Sequence, residues 1–206
     1  MSGAEANAPR VHDGLRGDAP AFARPGVGEG VEARLAVAAA SVLPQPEDGA
    51  PAGCCVRVGV GVDLVHVPSF AAQLDAPGSV FTEVFTDRER DYCQGLSGAS
   101  ASDGRTRRAA SFAARWAAKE AAVKAWSSLI AGEAPAIRES DLVWSDIEAV
   151  HDRWSRPLLR FRGEVHSQLD RLASRLGVDL VWSASLSHDG DYALALVTCH
   201  ALATVD

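Results

Sequence analysis

Residues 178–197 read VDLVWSASLSHDGDYALALV, and this stretch decides the fold class. Strand patterns lie on both sides of Asp189-Gly190, which is a hairpin turn signal. Strands joined that tightly run antiparallel. Helical patterns lie at 163–176 and, strongly, at 109–130, so antiparallel strands and helices share one unit and the class is α+β. Working outward, the pattern predicts strands at 56–64, 146–151, 157–162, 178–187 and 191–200. It predicts a helical stretch near 68–75, a helix near 86–94 and a polar loop at 97–106 (SGASASDGRT).

The chain has 206 residues, of which 47% are hydrophobic and 23% charged, as in ordinary soluble globular proteins. It contains no apolar run of about 18 residues, so no membrane-spanning helix is expected. A net charge of −7 argues against nucleic-acid binding through phosphate contacts. Cys54, Cys55, Cys93 and Cys199 form no C-x-x-C pair, which suggests reduced thiols rather than zinc ligands or a disulfide framework. Eighteen of the 20 basic residues are arginine; the two lysines, Lys119 and Lys124, lie five positions apart.

Residues 1–55 differ from the rest. They are rich in Ala, Gly, Pro and Glu, and Phe22 is their one aromatic residue. Such a segment buries too little apolar surface to offset its ordering entropy, so a disordered extension is expected, with a short helix at 34–43 (RLAVAAASVL). A signal peptide fits poorly, because the apolar run starts too far in and its upstream flank carries both signs of charge. Translation from an internal non-Met codon, at Val56 or Val58, is an alternative. Residues 56–206 are expected to form one domain.

The first strand reads VRVGVGVDLV. Val56, Val58, Val60 and Val62 share one face, expected to be the buried one; Arg57, Gly59, Gly61 and Asp63 share the other. Bare glycines beside a carboxylate permit close approach of a ligand or another chain. The plain alternative is that Asp63 ends the strand and caps the next element. In the long helix, Phe112, Trp116, Val123 and Trp126 make an apolar stripe, with Glu120 and Lys124 one turn apart at one flank and Arg115 and Lys119 at the other. A solvated Glu-Lys pair is the ordinary reading of Glu120 and Lys124. Ser187, His188 and Asp189 cannot form a triad, because adjacent strand residues face opposite ways. His188, at a strand end beside a tight turn, is better placed to meet a ligand. Two carboxylates (Asp63, Glu120), one lysine (Lys124) and one histidine (His188) suit Mg²⁺ and a pyrophosphate, since Mg²⁺ takes one or two carboxylates and lets phosphates and waters complete its shell.

GVGVDLV, FTDRERDYC, ARWAAKEAAVKAW and SLSHDGDYALA, in this order, resemble the holo-acyl-carrier-protein synthase family, the short group of 4′-phosphopantetheinyl transferases, and actinobacterial members in particular. The resemblance spans residues 56 to about 200. It implies transfer of the phosphopantetheine arm of coenzyme A to a serine of an apo acyl carrier protein or carrier domain, with release of adenosine 3′,5′-bisphosphate, in support of fatty acid biosynthesis. It implies that Asp63 and Glu120 hold Mg²⁺, that Lys124 and His188 contact the phosphates, and that Arg115 and Lys119 join the coenzyme site. Glu120, through a water on the metal, is the first choice of general base and His188 the second. A cytoplasmic homotrimer with sites at subunit interfaces is implied as well. A catalytically silent coenzyme- or carrier-binding scaffold, and the same chemistry on polyketide or peptide synthase carriers, are the alternatives.

The sequence departs from the family pattern twice. The segment after the G-x-D strand, LVHVPSFAAQ, lacks the basic residues on which an acidic carrier would dock, which turns attention to Arg88, Arg90 and the Arg105-Arg107-Arg108 cluster. The turn Trp154–Pro157 (WSRP) has serine where the family has glycine.

Overall fold

The computed structural model describes residues 52–96 and 100–204. The helix expected at 34–43 and nearly all of the expected extension lie outside the described residues. In chain order the elements are β1 (Cys55–His66), α1 (Val67–Leu74), α2 (Asp87–Gln94), α3 (Ala101–Leu129), β2 (Ile147–His151), β3 (Pro157–Phe161), α4 (Gly163–Leu176), β4 (Val178–Asp189) and β5 (Tyr192–Ala203). β1, β5 and β4 form an antiparallel sheet in that order, and β2 pairs with β3 in a second. The α+β class holds. In the β4–β5 hairpin Asp189 still pairs with Tyr192, so the two-residue loop is Gly190-Asp191, one position later than expected. Gly190 supplies the positive φ of 53° that such a loop requires.

The alternation along β1 is as expected, but the buried face is the opposite one. Val58, Val60 and Val62 are 50, 48 and 46% exposed. Gly59 and Gly61 instead lie directly on α3. A methyl group on Gly61 would overlap the Ala121 carbonyl and sit 2.7 Å from the Ala125 nitrogen; one on Gly59 would overlap the Ala125 carbonyl and sit 2.8 Å from Leu129 Cγ. The cause is complementary bareness. α3 presents Ala117, Ala121 and Ala125, all fully buried, and β1 meets this ridge with no side chain at all. Valine could not be accommodated at that separation, so it faces outward. In β4 the expected faces are observed: Ser183, Ser185 and Ser187 point outward, while Trp182 and Leu186 pack on the core.

α3 starts earlier than its composition suggests. Ser100 Oγ accepts a hydrogen bond from the Asp103 backbone N–H at 3.2 Å, so the polar run from Ala101 is the first turns of the helix rather than a loop. Gly104 within it costs about 1 kcal/mol of helix propensity, which packing farther along offsets. Two aromatic chains brace the helix. Phe70, Phe81, Trp116 and Trp144 follow one another at ring-centroid distances of 5.1, 5.4 and 4.7 Å. Near the other end, Trp126 meets Phe161 and Trp182 at 6.3 and 6.4 Å.

Lys119 corrects a second expectation. Instead of reaching a coenzyme it is wholly buried, its ammonium 3.0 Å from Glu89 and donating to the Trp144 and Ile147 carbonyls. Burial lowers its pKa and the Glu89 carboxylate pulls it back up. A ladder of polar groups continues outward. Glu89 accepts from the Ala149 N–H at 2.9 Å, Thr86 Oγ1 donates to buried Glu148 at 2.8 Å, and Arg162 closes the series on Glu148 at 2.8 Å. This ladder ties α2, α3 and β2 together.

In the β2–β3 turn, Asp152 accepts from the Trp154 and Arg156 backbone N–H groups at 2.8 and 2.9 Å. Ser155 there adopts φ 64°, so the serine takes the left-handed conformation that glycine takes at least cost.

The glycine contact and the buried lysine each set a measurable stability cost. Gly61→Ala should destabilise the domain by about 3 kcal/mol in urea unfolding, because neither backbone can retreat. Lys119→Ala should cost about 3–5 kcal/mol, since it strands the Glu89 carboxylate in the interior; a cost below about 1 kcal/mol on the same measurement, as for a surface pair, would contradict the buried assignment.

Candidate active site

The close contact between β1 and α3 creates the first half of the site. Asp63 follows Gly59 and Gly61 on the same face, so its carboxylate is carried to the flank of α3. There Lys124 Nζ lies 2.6 Å from Asp63 Oδ1 and 3.8 Å from Glu120 Oε2, and donates to the Val62 carbonyl at 3.3 Å. Glu120 and Lys124 are one turn apart, which places both head groups on one side of the helix. The side chains of Asp63 and Glu120 are only 13 and 16% exposed, whereas Lys124 is 47% exposed. Two mostly covered carboxylates therefore converge on one cationic position with an open side. This is not the solvated Glu-Lys pair of an ordinary helix surface, because a third charged group from another element completes it.

The donor set tests which ion could join. Both groups are carboxylate oxygens, the hard ligands that Mg²⁺ takes one or two at a time, with the remaining positions left to phosphate and water. Among the described residues no cluster of three or more His, Cys, Asp and Glu side chains forms a complete metal cage. A pair that needs substrate oxygens to complete the shell fits Mg²⁺ and does not fit structural zinc.

The second half of the site lies elsewhere. His188 sits at the end of β4, and in the sheet β5 separates β4 from β1. Two strand spacings put roughly 10 Å between the backbones of β1 and β4. His188 lines a cleft of about 460 Å³ together with Tyr92, Arg107, Ser111, Arg115 and His151. Arg115 is buried at 3% exposure, yet it is the cationic floor of this cleft. Its Nη1 donates to the Ser111 carbonyl and hydroxyl at 3.0 and 2.6 Å, and its guanidinium carbon stands 4.3 Å over the Tyr92 ring centroid. Nη2 lies 3.3 Å from His151 Nδ1. Burial, with Arg115 alongside, holds the His151 pKa below its ordinary value, so the neutral ring accepts that bond. Arg115 Nε has no hydrogen-bond partner among the described residues. A buried cation with one unsatisfied donor carries a cost that the surrounding side chains do not offset.

Of the residues singled out in the sequence, Asp63, Glu120 and Lys124 are brought together, Arg115 and His188 meet in a separate cleft, and Lys119 belongs to the interior. Tyr92 and His151 were not singled out, and Arg107, considered for carrier docking, lines the cleft instead. Tyr92 and His151 come from different elements, α2 and β2, and no local spacing marks them as neighbours.

Residues 59–197 match the model of the 4′-phosphopantetheinyl transferase superfamily. Among curated proteins, the holo-[acyl-carrier-protein] synthase of Corynebacterium efficiens is 43% identical over 148 residues, covering 71% of this chain and 97% of that protein. The enzyme of the same name from Mycobacterium tuberculosis is 42% identical over 144 residues, covering 70% and 97%. Among solved structures, the ACPS–CoA complex of Chronobacterium ammoniagenes is 42% identical with a TM-score of 0.59, covering 70% of this chain and 98% of that one. The apo form superposes with a TM-score of 0.61 at 41% identity, covering 71% and 98%. With the family model spanning residues 59–197, which carry both halves of the site, and with relatives above 40% identity matched over nearly their whole length, the chain belongs to the 4′-phosphopantetheinyl transferase superfamily, in its holo-[acyl-carrier-protein] synthase group.

Proposed function

We propose that this chain transfers the 4′-phosphopantetheine arm of coenzyme A to a serine of an apo acyl carrier protein, leaving adenosine 3′,5′-bisphosphate. The observation that carries the reading is the convergence of Asp63 and Glu120 on Lys124, at 2.6 and 3.8 Å. Asp63 and Glu120 would hold Mg²⁺, which when bound neutralises charge on the pyrophosphate oxygens. Lys124, the most exposed of the three, turns its ammonium to the phosphoryl group and stabilises the charge that grows on the departing bisphosphate. The serine oxygen attacks the β-phosphorus, and the bond to the bisphosphate oxygen breaks. Glu120 takes the serine proton. Arg115 and His188, which line the second cleft, hold the phosphates of the nucleotide end. In this reading the carrier serves fatty acid biosynthesis. The setting is the cytoplasm, in keeping with four cysteines in no disulfide and with no membrane-spanning helix among the described residues.

The working unit in this reading is a homotrimer. The outer face of the sheet is apolar and uncovered: Leu64 is 58% exposed, and Val58, Val60, Val62, Leu194 and Leu196 are 39–50% exposed. In the register Val62 stands beside Leu196 and Leu64 beside Leu194, so these side chains form one continuous patch. Such a patch on a soluble protein marks an interface, here with copies of the same chain. The two halves of the site point the same way. Arg115 and Glu120 are about 140° apart around α3, so one chain turns its halves to different sides, and a neighbouring copy brings opposite halves together.

Glu120→Gln and Lys124→Ala should each lower the rate at which an apo carrier gains about 340 Da in the presence of coenzyme A and Mg²⁺, by at least about 100-fold, with urea midpoints unchanged. Unchanged rates would remove the metal and phosphate roles. No mass gain with wild-type protein on any carrier would favour a binding scaffold. For the assembly, Asp63→Ala and His188→Ala chains, each inactive alone, should recover about a quarter of wild-type activity when unfolded and refolded together, because random mixing restores that share of sites. No recovery would place both halves of each site in one chain.

A further inference from the structure

Arg115 is a buried cation, and what fixes its head group comes mostly from elsewhere in the chain. Two of its hydrogen bonds run from Nη1 to Ser111, one turn back on the same helix, so they tie the guanidinium only to α3 itself. Among the described residues, the bond that reaches another element is the one from Nη2 to His151 Nδ1, at 3.3 Å. Tyr92 completes the group. Its ring stacks on His151 at 5.2 Å and 17°, and the Arg115 guanidinium carbon stands 4.3 Å over the same ring. The three side chains come from α3, α2 and β2, so each contact crosses between elements.

His151 is held where this bond can form. It is the last residue of β2 and pairs with Pro157 of β3. Two residues earlier the Ala149 N–H donates to Glu89 at 2.9 Å, which fastens β2 to α2, and the Lys119 ammonium fixes Glu89 from 3.0 Å. Just after it, Asp152 accepts from the Trp154 and Arg156 N–H groups and sets the turn. The guanidinium has less of a frame. Arg115, Tyr92 and His151 line the cleft of about 460 Å³ and also a smaller cavity of about 170 Å³. Glu89 and Asp152 line the smaller one as well, and their carboxylates would draw a released guanidinium away from the larger.

Resting on the transferase reading above, we propose that His151 is a positioning residue: its neutral ring accepts from Arg115 Nη2 and keeps the guanidinium in place for the phosphates at the nucleotide end of coenzyme A. Protonation would turn Nδ1 from acceptor into donor and set a second positive charge beside the first. The hold is therefore present at neutral pH and is lost as pH falls through the His151 pKa. Burial and Arg115 keep that pKa below the ordinary histidine value, while Asp152 pulls it up. The other charged or titratable groups of the region are Arg107 and Arg115 on α3, Arg88, Glu89 and Tyr92 on α2, Asp152 in the β2–β3 turn and His188 on β4. Protonated His188 would attract phosphate, so acid acts through it in the opposite direction. A chain that lacks only the His151 titration separates the two effects.

The test measures Kd for coenzyme A by calorimetry, and KM for coenzyme A with carrier and Mg²⁺ saturating, on the full chain and its variants. His151→Phe keeps a ring to stack on Tyr92 and removes the acceptor. Its Kd and KM should rise about tenfold, with kcat lowered less than about threefold. His151→Asn keeps an acceptor and does not titrate, so it should stay within about threefold of wild type at about pH 7.5. Between about pH 7.5 and about pH 5.5 the wild-type Kd should rise about threefold or more relative to that of His151→Asn. In an Arg115→Ala background, His151→Phe should change Kd less than about twofold, because its effect runs through Arg115. An unchanged Kd in His151→Phe, or an equal loss in Phe and Asn variants, would overturn the proposal. So would a full loss without Arg115, or a wild-type Kd that falls on acidification relative to His151→Asn, which would make charged His151 a phosphate ligand. A wild-type chain that binds no coenzyme A and adds no mass to any carrier would be a failure of the transferase reading itself, and is seen before any variant is compared.

Discussion

Contact between two bare glycines and an alanine ridge underlies the rest of the molecule. Gly59 and Gly61 bring the backbone of β1 against the backbone of α3, where a single added methyl group would collide with a carbonyl oxygen. Interiors are packed closely enough that such a contact has no slack. Its consequences run in two directions. Inward, it sets the distance at which Asp63 meets Lys124 and Glu120, so the geometry of the charged cluster comes from the absence of two side chains. Outward, it forces the valines of β1 to the other face, where with Leu194 and Leu196 they form the patch assigned to self-association. Charged cluster and apolar patch are thus two results of one packing choice.

The two lysines show how a helix buried on most sides can still present chemistry. Lys119 and Lys124 are five residues apart, about 140° around the axis, and their fates are opposite. Lys119 points into the interior, where three acceptors and the Glu89 charge offset its desolvation. Lys124 points to the open flank and keeps nearly half its surface. Lysine suits both positions because its ammonium is compact and its donors rotate; the planar guanidinium of arginine would fill neither in the same way. The absence of lysine elsewhere is therefore intelligible: a chain that otherwise uses arginine keeps lysine where geometry demands a point charge.

Much of this was legible in the sequence, for physical reasons that also explain the errors. α4 occupies 163–176 as its apolar period indicates, because an amphipathic helix on a sheet leaves a regular trace. The α+β class came from a hairpin whose turn chemistry is local. Asp63, Glu120 and Lys124 were recoverable because helical spacing and strand alternation each place side chains without tertiary information. What failed depended on a partner element. Alternation tells which residues of β1 share a face but not which face meets a helix; the alanines at 117, 121 and 125, small on the helix where the glycines are bare on the strand, were the available hint. Lys119 was misplaced because a wheel reports direction but not how much protein lies there. Tyr92 and His151 were invisible because their ring contact, at 5.2 Å, joins residues from α2 and β2.

The position of the two half-sites bears on how a long, flexible substrate can be held. In the proposed reaction coenzyme A presents its pyrophosphate to the Lys124 cluster while its nucleotide end sits with Arg115 and His188. Within one chain the straight path between these groups runs through Ala117, Ala118 and Ala121 of α3, all fully buried, with β5 behind them. No ligand can pass through that packed layer, and going around it would require an exposed groove across the helix, which the burial of α3 does not leave. In the proposed trimer the obstacle becomes useful. Each chain's rigid core separates its own halves and fixes each one at a surface, so the coenzyme is gripped only where two copies meet. Assembly then completes the site rather than merely stabilising it, and the apolar sheet face and the charged cluster become parts of one device.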